Sequence, residues 1–184
     1  MKIILLAISF IGFASQVIAA LNDDEIRVYR KLISESGAED VLQKYSGSAY
    51  LFQISGPEKV IDVLVLFDDV SSGGDIFLSE KFRTASGGVS TSRVAWRKMP
   101  MHDLSRLLYV IEQSDALSLG NRVYADPLRV SVLAEVDTLR LACRQSNRSI
   151  VIERENDDSL PMNYVFSFIR REIIRGLSER EHRP

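Results

Sequence analysis

The spacing of hydrophobic positions divides the chain into helical and extended segments. After a continuous apolar stretch at the amino terminus, apolar residues recur every three or four positions, which predicts a helix beginning after Asn22. Glu25 follows Asn22 at the spacing of a capping box, and Gly37 is a helix terminator. A second, shorter helix is predicted over 38–45.

From residue 48 the spacing changes to alternation, which predicts β-strands. Four strands are predicted, over 50–54, 60–67, 76–82 and 93–97. Because short loops join them, an antiparallel meander is the simplest connection. The strand over 60–67 is apolar on both faces, which is typical of a central strand, and only Asp62 interrupts it. We expect Asp62 to face solvent.

The second half repeats the order of strands and helices. Apolar spacing predicts a helix over 101–113, strands around 139–143 and 150–152, and a last helix opening at Pro161. The segment 128–136 fits both a strand and a short helix, and the pattern does not decide between them.

Together these elements predict an α+β fold. We expect an antiparallel sheet made of two strand blocks, with the helices packed mainly on one face. No linker rich in Pro, Gly or Ser interrupts the chain after residue 20, so residues 21–184 are predicted to form a single domain.

The amino-terminal apolar stretch has the organisation of a secretory signal peptide. Lys2 supplies the positive start, residues 3–13 form the apolar region, and small residues end it at Ala19 and Ala20. The stretch is short for a membrane span, which takes about 20 apolar residues. Residues 1–20 are therefore predicted to be cleaved, after Ala19 or Ala20. We expect a periplasmic or secreted protein with no transmembrane segment after cleavage.

Composition narrows the possible functions. The chain has 23 Lys and Arg residues and 25 Asp and Glu residues, so its formal charge is −2. Nucleic-acid-binding proteins usually carry an excess of basic residues, and this chain does not. One cysteine excludes an intramolecular disulfide and any site with several cysteine ligands. The two histidines are isolated from each other, so no metal site is predicted. No cofactor is expected either, because no glycine-rich phosphate-binding motif is present.

The sequence also favours no particular set of catalytic residues. There is no Gly-x-Ser-x-Gly nucleophile elbow. A cysteine nucleophile would need Cys143 with His102 as its base. Cys143 falls on the same strand face as the apolar residues Leu139 and Leu141, which favours a buried structural cysteine. A disulfide between two chains and a catalytic thiol remain as alternatives.

The predicted strand that carries basic residues and the only tryptophan of the chain is the best candidate contact surface. We predict that partner binding uses Arg93, Trp96, Arg97 and Lys98, because arginine and tryptophan are common at interface centres. The sequence therefore favours an exported, non-catalytic protein that binds a protein or envelope component. The alternative is a small envelope hydrolase with a carboxylate or Cys/His site.

Overall fold

A computed structural model of the chain describes four segments, over residues 21–117, 138–145, 148–155 and 161–175. The predicted signal peptide, the ambiguous segment 128–136 and the last nine residues lie outside the described residues.

The helices in these segments begin and end close to the predicted positions. They are α1 (Asp23–Glu35), α2 (Ala38–Lys44), α3 (Met101–Gln113) and α4 (Pro161–Phe168), which continues as a π-helix over Ile169–Ile174. A 3-10 turn lies at Val70–Ser72. The capping box of α1 forms as predicted: the Glu25 amide donates to Asn22 Oδ1 at 2.9 Å and the Asn22 amide donates to Glu25 Oε2 at 2.8 Å.

Six strands form one antiparallel sheet within the described residues. They are β1 (Ser48–Ser55), β2 (Lys59–Phe67), β3 (Gly74–Arg83), β4 (Val89–Met99), β5 (Thr138–Gln145) and β6 (Arg148–Glu155). Their order across the sheet is β4-β3-β2-β1-β5-β6. The predicted meander is therefore confirmed for β1 to β4. The second strand block joins the first because β5 pairs antiparallel with β1.

The fold class is the predicted α+β, but the helices are placed differently from our expectation. Instead of packing mainly on one face, α1 and α2 cover one face of the sheet, and α3 and α4 cover the other. The physical reason is visible in the central strands. On β2, Val63 and Val65 face one apolar cluster, while Leu64 and Leu66 face the other, and all four are buried. Each face therefore needs its own helical cover.

Aromatic contacts fix the position of the last helix on the sheet. Phe166 of α4 meets Phe52 of β1 edge to face, with ring centroids 6.1 Å apart. Phe52 is in turn stacked on Tyr50 at 6.3 Å. All three side chains are buried, so this cluster anchors α4 over the centre of the sheet.

Candidate functional site

A polar cavity opens at one end of the sheet, on the face that α1 and α2 cover. Toward the middle of that face the strands present buried apolar residues, such as Leu51 and Leu64. Beyond the end of α1 the same face becomes polar, because β1, β2 and β3 continue with Gln53, Asp62 and Lys81. The cavity has a volume of about 350 Å³. We call it the Asp62 pocket. It is lined by Ser34, Glu35, Ser36, Gly37, Gln53, Ser55, Val60, Asp62, Lys81, Arg83, Val89 and Thr91.

A buried ion pair forms the floor of the Asp62 pocket. The Asp62 side chain is 3% exposed, and the Lys81 side chain is 14% exposed. Lys81 Nζ lies 3.1 Å from Asp62 Oδ2, and Gln53 Nε2 donates to Asp62 Oδ1 at 2.8 Å. Both carboxylate oxygens therefore have a partner, and both contacts stabilise the negative charge. The expectation that Asp62 faces solvent is wrong, because its face of the sheet is covered.

The turn between α1 and α2 closes over the Lys81 side chain. Gly37 occupies this turn with φ +109°, a conformation that glycine adopts without strain. A Cβ atom added there would lie 3.4 Å from Lys81 Nζ, which is close contact. Thr91 Oγ1 donates to the Ser34 carbonyl at 3.0 Å and so ties β4 to the end of α1. The mouth of the pocket is therefore formed by the α1–α2 turn, and the hydrogen bond from Thr91 fixes the position of the residues just before it.

Arg83 lies at the rim of the pocket and is positioned by neutral acceptors. Its Nε donates to the Gly56 carbonyl at 3.1 Å, and its Nη2 donates to Ser55 Oγ at 2.8 Å. A guanidinium group has five N–H donors, so these two bonds leave three for other acceptors. The side chain is exposed and lies two residues beyond Lys81 on the same face of β3.

A second buried carboxylate accounts for two of the residues predicted to bind a partner. Asp75 is 3% exposed, and Lys98 Nζ lies 2.7 Å from its Oδ1. Trp96 Nε1 donates to the same oxygen at 3.3 Å. Lys98 therefore neutralises a buried acid beneath α1, and Trp96 donates a hydrogen bond to it. In these positions their contacts support the fold.

The other two predicted residues lie on the opposite face of β4. Arg93 is opposite Glu80 in the strand register, and its Nη1 lies 3.9 Å from Glu80 Oε2. Arg97 is opposite Ile76, which belongs to the cluster beneath α3 and α4. The structure thus brings Trp96 and Lys98 together but separates them from the two arginines.

Tyr45 lies beside the Asp75 end of the α1 face and is buried. Burial raises the pKa of its phenol, and the carboxylate of Asp68, which is hydrogen-bonded to it, raises this pKa further. Tyr29 meets the Tyr45 ring edge to face at 6.0 Å. Neutral Tyr45 is therefore part of the folded core near neutral pH.

The candidate catalytic pair of the sequence is placed in two different environments. Cys143 is 2% exposed and belongs to the apolar cluster of the α3 and α4 face, as its strand position predicted. The His102 side chain is 77% exposed at the start of α3, where its Nε2 lies 3.2 Å from Asp103 Oδ1. A thiol inside the core is not accessible to a substrate.

The Asp62 pocket was not predictable from the spacing of residues along the chain. A signal for it was present, since a single acid interrupted an otherwise apolar strand. Its partners could not be identified, because Gln53 and Lys81 come from the two neighbouring strands and meet Asp62 only through the register.

Comparisons with protein-family models, with curated protein sequences and with solved structures found no match to this chain. In the part of the chain that the structure describes, no helix has both the length and the apolar character required to cross a bilayer.

Proposed function

We propose that this protein is exported and acts by binding a protein or envelope component, without catalysis, and that the Asp62 pocket is its binding site. The amino-terminal sequence pattern supports export. The observation that carries the binding proposal is the Asp62–Lys81 pair on the floor of an open cavity.

Stability alone does not explain this pair. Removing two charges from water is costly, and well-packed apolar residues of similar volume are often at least as stabilising. Here the pair lies next to a cavity that also presents the Gln53 amide and the Arg83 guanidinium. A few polar groups converging in a concave surface are the usual composition of a binding site.

The acids of the pocket favour recognition over hydrolysis. A pair of catalytic carboxylates needs two groups free to exchange protons with the substrate. Asp62 is held on both oxygens, by Gln53 and Lys81. Glu35 lies at the mouth, and its Oε1 is 3.9 Å from Lys31 Nζ on the exposed side of α1.

Photo-crosslinking in the native host tests whether the pocket contacts a partner. A photoreactive phenylalanine derivative replaces Ser36, which lies exposed at the mouth of the pocket. The matched control carries the same group at Tyr109, which is 60% exposed on α3, over the other face of the sheet. We expect an adduct in the exported fraction from position 36 and none from position 109. No adduct at position 36, or equal adducts at both positions, would contradict the proposal.

The amino terminus of the native protein tests export. Mass spectrometry of the abundant cellular form should show a chain that begins at Ala20 or Leu21, in a periplasmic or secreted fraction. A form that still carries Met1 and remains in the cytoplasm would refute the proposed location.

A further inference from the structure

Two acids and two cations line the Asp62 pocket, and they are not all paired with one another. On the floor, Asp62 and Lys81 compensate each other at 3.1 Å. At the mouth, Glu35 has Lys31 as its partner. Arg83 is hydrogen-bonded only to a backbone carbonyl and a hydroxyl, and no carboxylate among the described residues lies within salt-bridge distance of it. Arg83 is therefore the charged lining residue that has no oppositely charged group within salt-bridge distance among the described residues.

Two side chains of the pocket also keep hydrogen-bond donors that their observed contacts do not use. Arg83 keeps three N–H groups, and the Lys81 ammonium keeps two after its contact with Asp62. Because Lys81 and Arg83 are two residues apart on one strand face, their Cα atoms are about 6.5–7 Å apart. Two cations at this spacing can both reach one small anionic group. The planar fork of a guanidinium matches the oxygens of a carboxylate or a phosphate.

We propose that the Asp62 pocket binds an oxyanionic group of its ligand, a carboxylate or a phosphate, with Arg83 as the main donor and Lys81 as the second cation. This inference rests on the proposed function, in which the pocket is the binding site. A volume of about 350 Å³ is at the small end of ligand pockets, so it fits a sugar acid, a phosphate ester or the charged end of a larger partner. The hydroxyl groups of Ser36 and Thr91 line the same cavity and can contact polar atoms next to the anion.

An NMR titration of the 15N-labelled protein tests this proposal. The probes are inorganic phosphate, D-glucuronate and D-glucose, at one ionic strength. We expect saturable shifts of the Arg83 side-chain Nε–H signal and of the Ser36 and Thr91 amides with phosphate, with glucuronate, or with both. Glucose, which has the hydroxyls without the charge, should not shift them. The anion that saturates identifies the source of the oxyanionic group.

Three variants separate specific binding from general attraction to positive charge. Arg83→Gln should weaken anion binding at least about 10-fold, because a charge-assisted hydrogen bond is lost. Arg83→Lys should give an intermediate affinity, since it keeps the charge and loses the fork. Arg27→Gln is the matched control: this arginine is 79% exposed on α1 and pairs with Asp24, so its loss should leave the affinity unchanged. Arg83 is exposed at the rim, and the spectra themselves report whether each variant is folded.

The proposal is overturned if neither anion saturates, if glucose shifts the same signals equally, or if Arg83→Gln binds as tightly as the wild type. Its failure is distinguishable from failure of the proposed function. A partner that crosslinks at position 36 while no anion binds would contradict the oxyanion inference and leave partner binding in place. Anion binding without any crosslinked partner would support the oxyanion site and contradict the proposed binding of a macromolecule.

Discussion

Removing the ammonium group from the floor of the pocket should destabilise the protein strongly. In Lys81→Met, the Asp62 carboxylate stays 3% exposed but loses the cation that lies 3.1 Å away. Loss of one partner of a fully buried pair costs about 3–5 kcal/mol. Because the Lys81 side chain is 14% exposed, we expect the lower end of this range, about 3 kcal/mol.

Urea unfolding at pH 7 measures this loss, followed by far-ultraviolet circular dichroism and by the fluorescence of Trp96. In thermal unfolding, a chain of this size loses about 2–4 °C in Tm for each kcal/mol, so the shift should be about 6–12 °C. Lys31→Met is the matched control. Its side chain is 72% exposed and its partner Glu35 is 3.9 Å away, so the loss should be under about 0.5 kcal/mol.

A double variant tests the electrostatic cause of the effect. Adding Asp62→Asn to Lys81→Met removes the uncompensated charge but keeps an acceptor for the Gln53 amide. The double variant should therefore be about 1–2 kcal/mol more stable than Lys81→Met alone. The reasoning is refuted if Lys81→Met costs no more than the Lys31 control, or if the second substitution brings no recovery.

Three further measurements test other parts of the fold. Burial raises the pKa of the Tyr45 phenol, so folding favours its neutral form. The contribution of Tyr45 to stability should therefore be constant below about pH 10 and be lost above it, and Tyr45→Phe should reduce the alkaline fall in urea titrations across pH. Gly73→Ala should lower the free energy of unfolding by more than about 2 kcal/mol, because φ is +74° and the new Cβ would lie 2.4 Å from the Met99 carbonyl oxygen. Gly87→Ala is the control: φ is +80° there but no atom lies near the new Cβ, so the loss should be only about 1–2 kcal/mol. Asn22→Ala should cost about 1 kcal/mol by thermal unfolding, because it breaks the capping box of α1; an unchanged Tm would show that the cap contributes nothing.

The elements of this fold were predictable because their signals are local. Helix α3 begins at Met101 and ends at Gln113, the bounds that apolar spacing predicts. The burial of Cys143 likewise followed from its alternation with Leu139 and Leu141. Such patterns depend on neighbours within a few positions, so a single chain carries them in full.

The candidate site was not predictable in the same way. Asp62 was visible as an acid in an apolar strand, and the sequence pattern favoured an exposed position for it. Its burial depends on Gln53, Lys81 and the turn between α1 and α2, and none of these belongs to its own strand. The four residues predicted to bind a partner do not form one surface, because the pleat of β4 places Trp96 and Lys98 on one side of the sheet and Arg93 and Arg97 on the other.

The amino-acid sequence alone determined the order of helices and strands, the antiparallel meander, the caps and the apolar stripes, because spacing and turn chemistry act over short distances. Tertiary structure decided how the helices divide between the two faces and which polar groups meet. The Asp62 pocket is the clearest case, since its floor joins Gln53, Asp62 and Lys81 from three strands and its mouth comes from the α1–α2 turn. Those groups meet only when strand register and helix packing are complete, and both are set by the packing of the whole core.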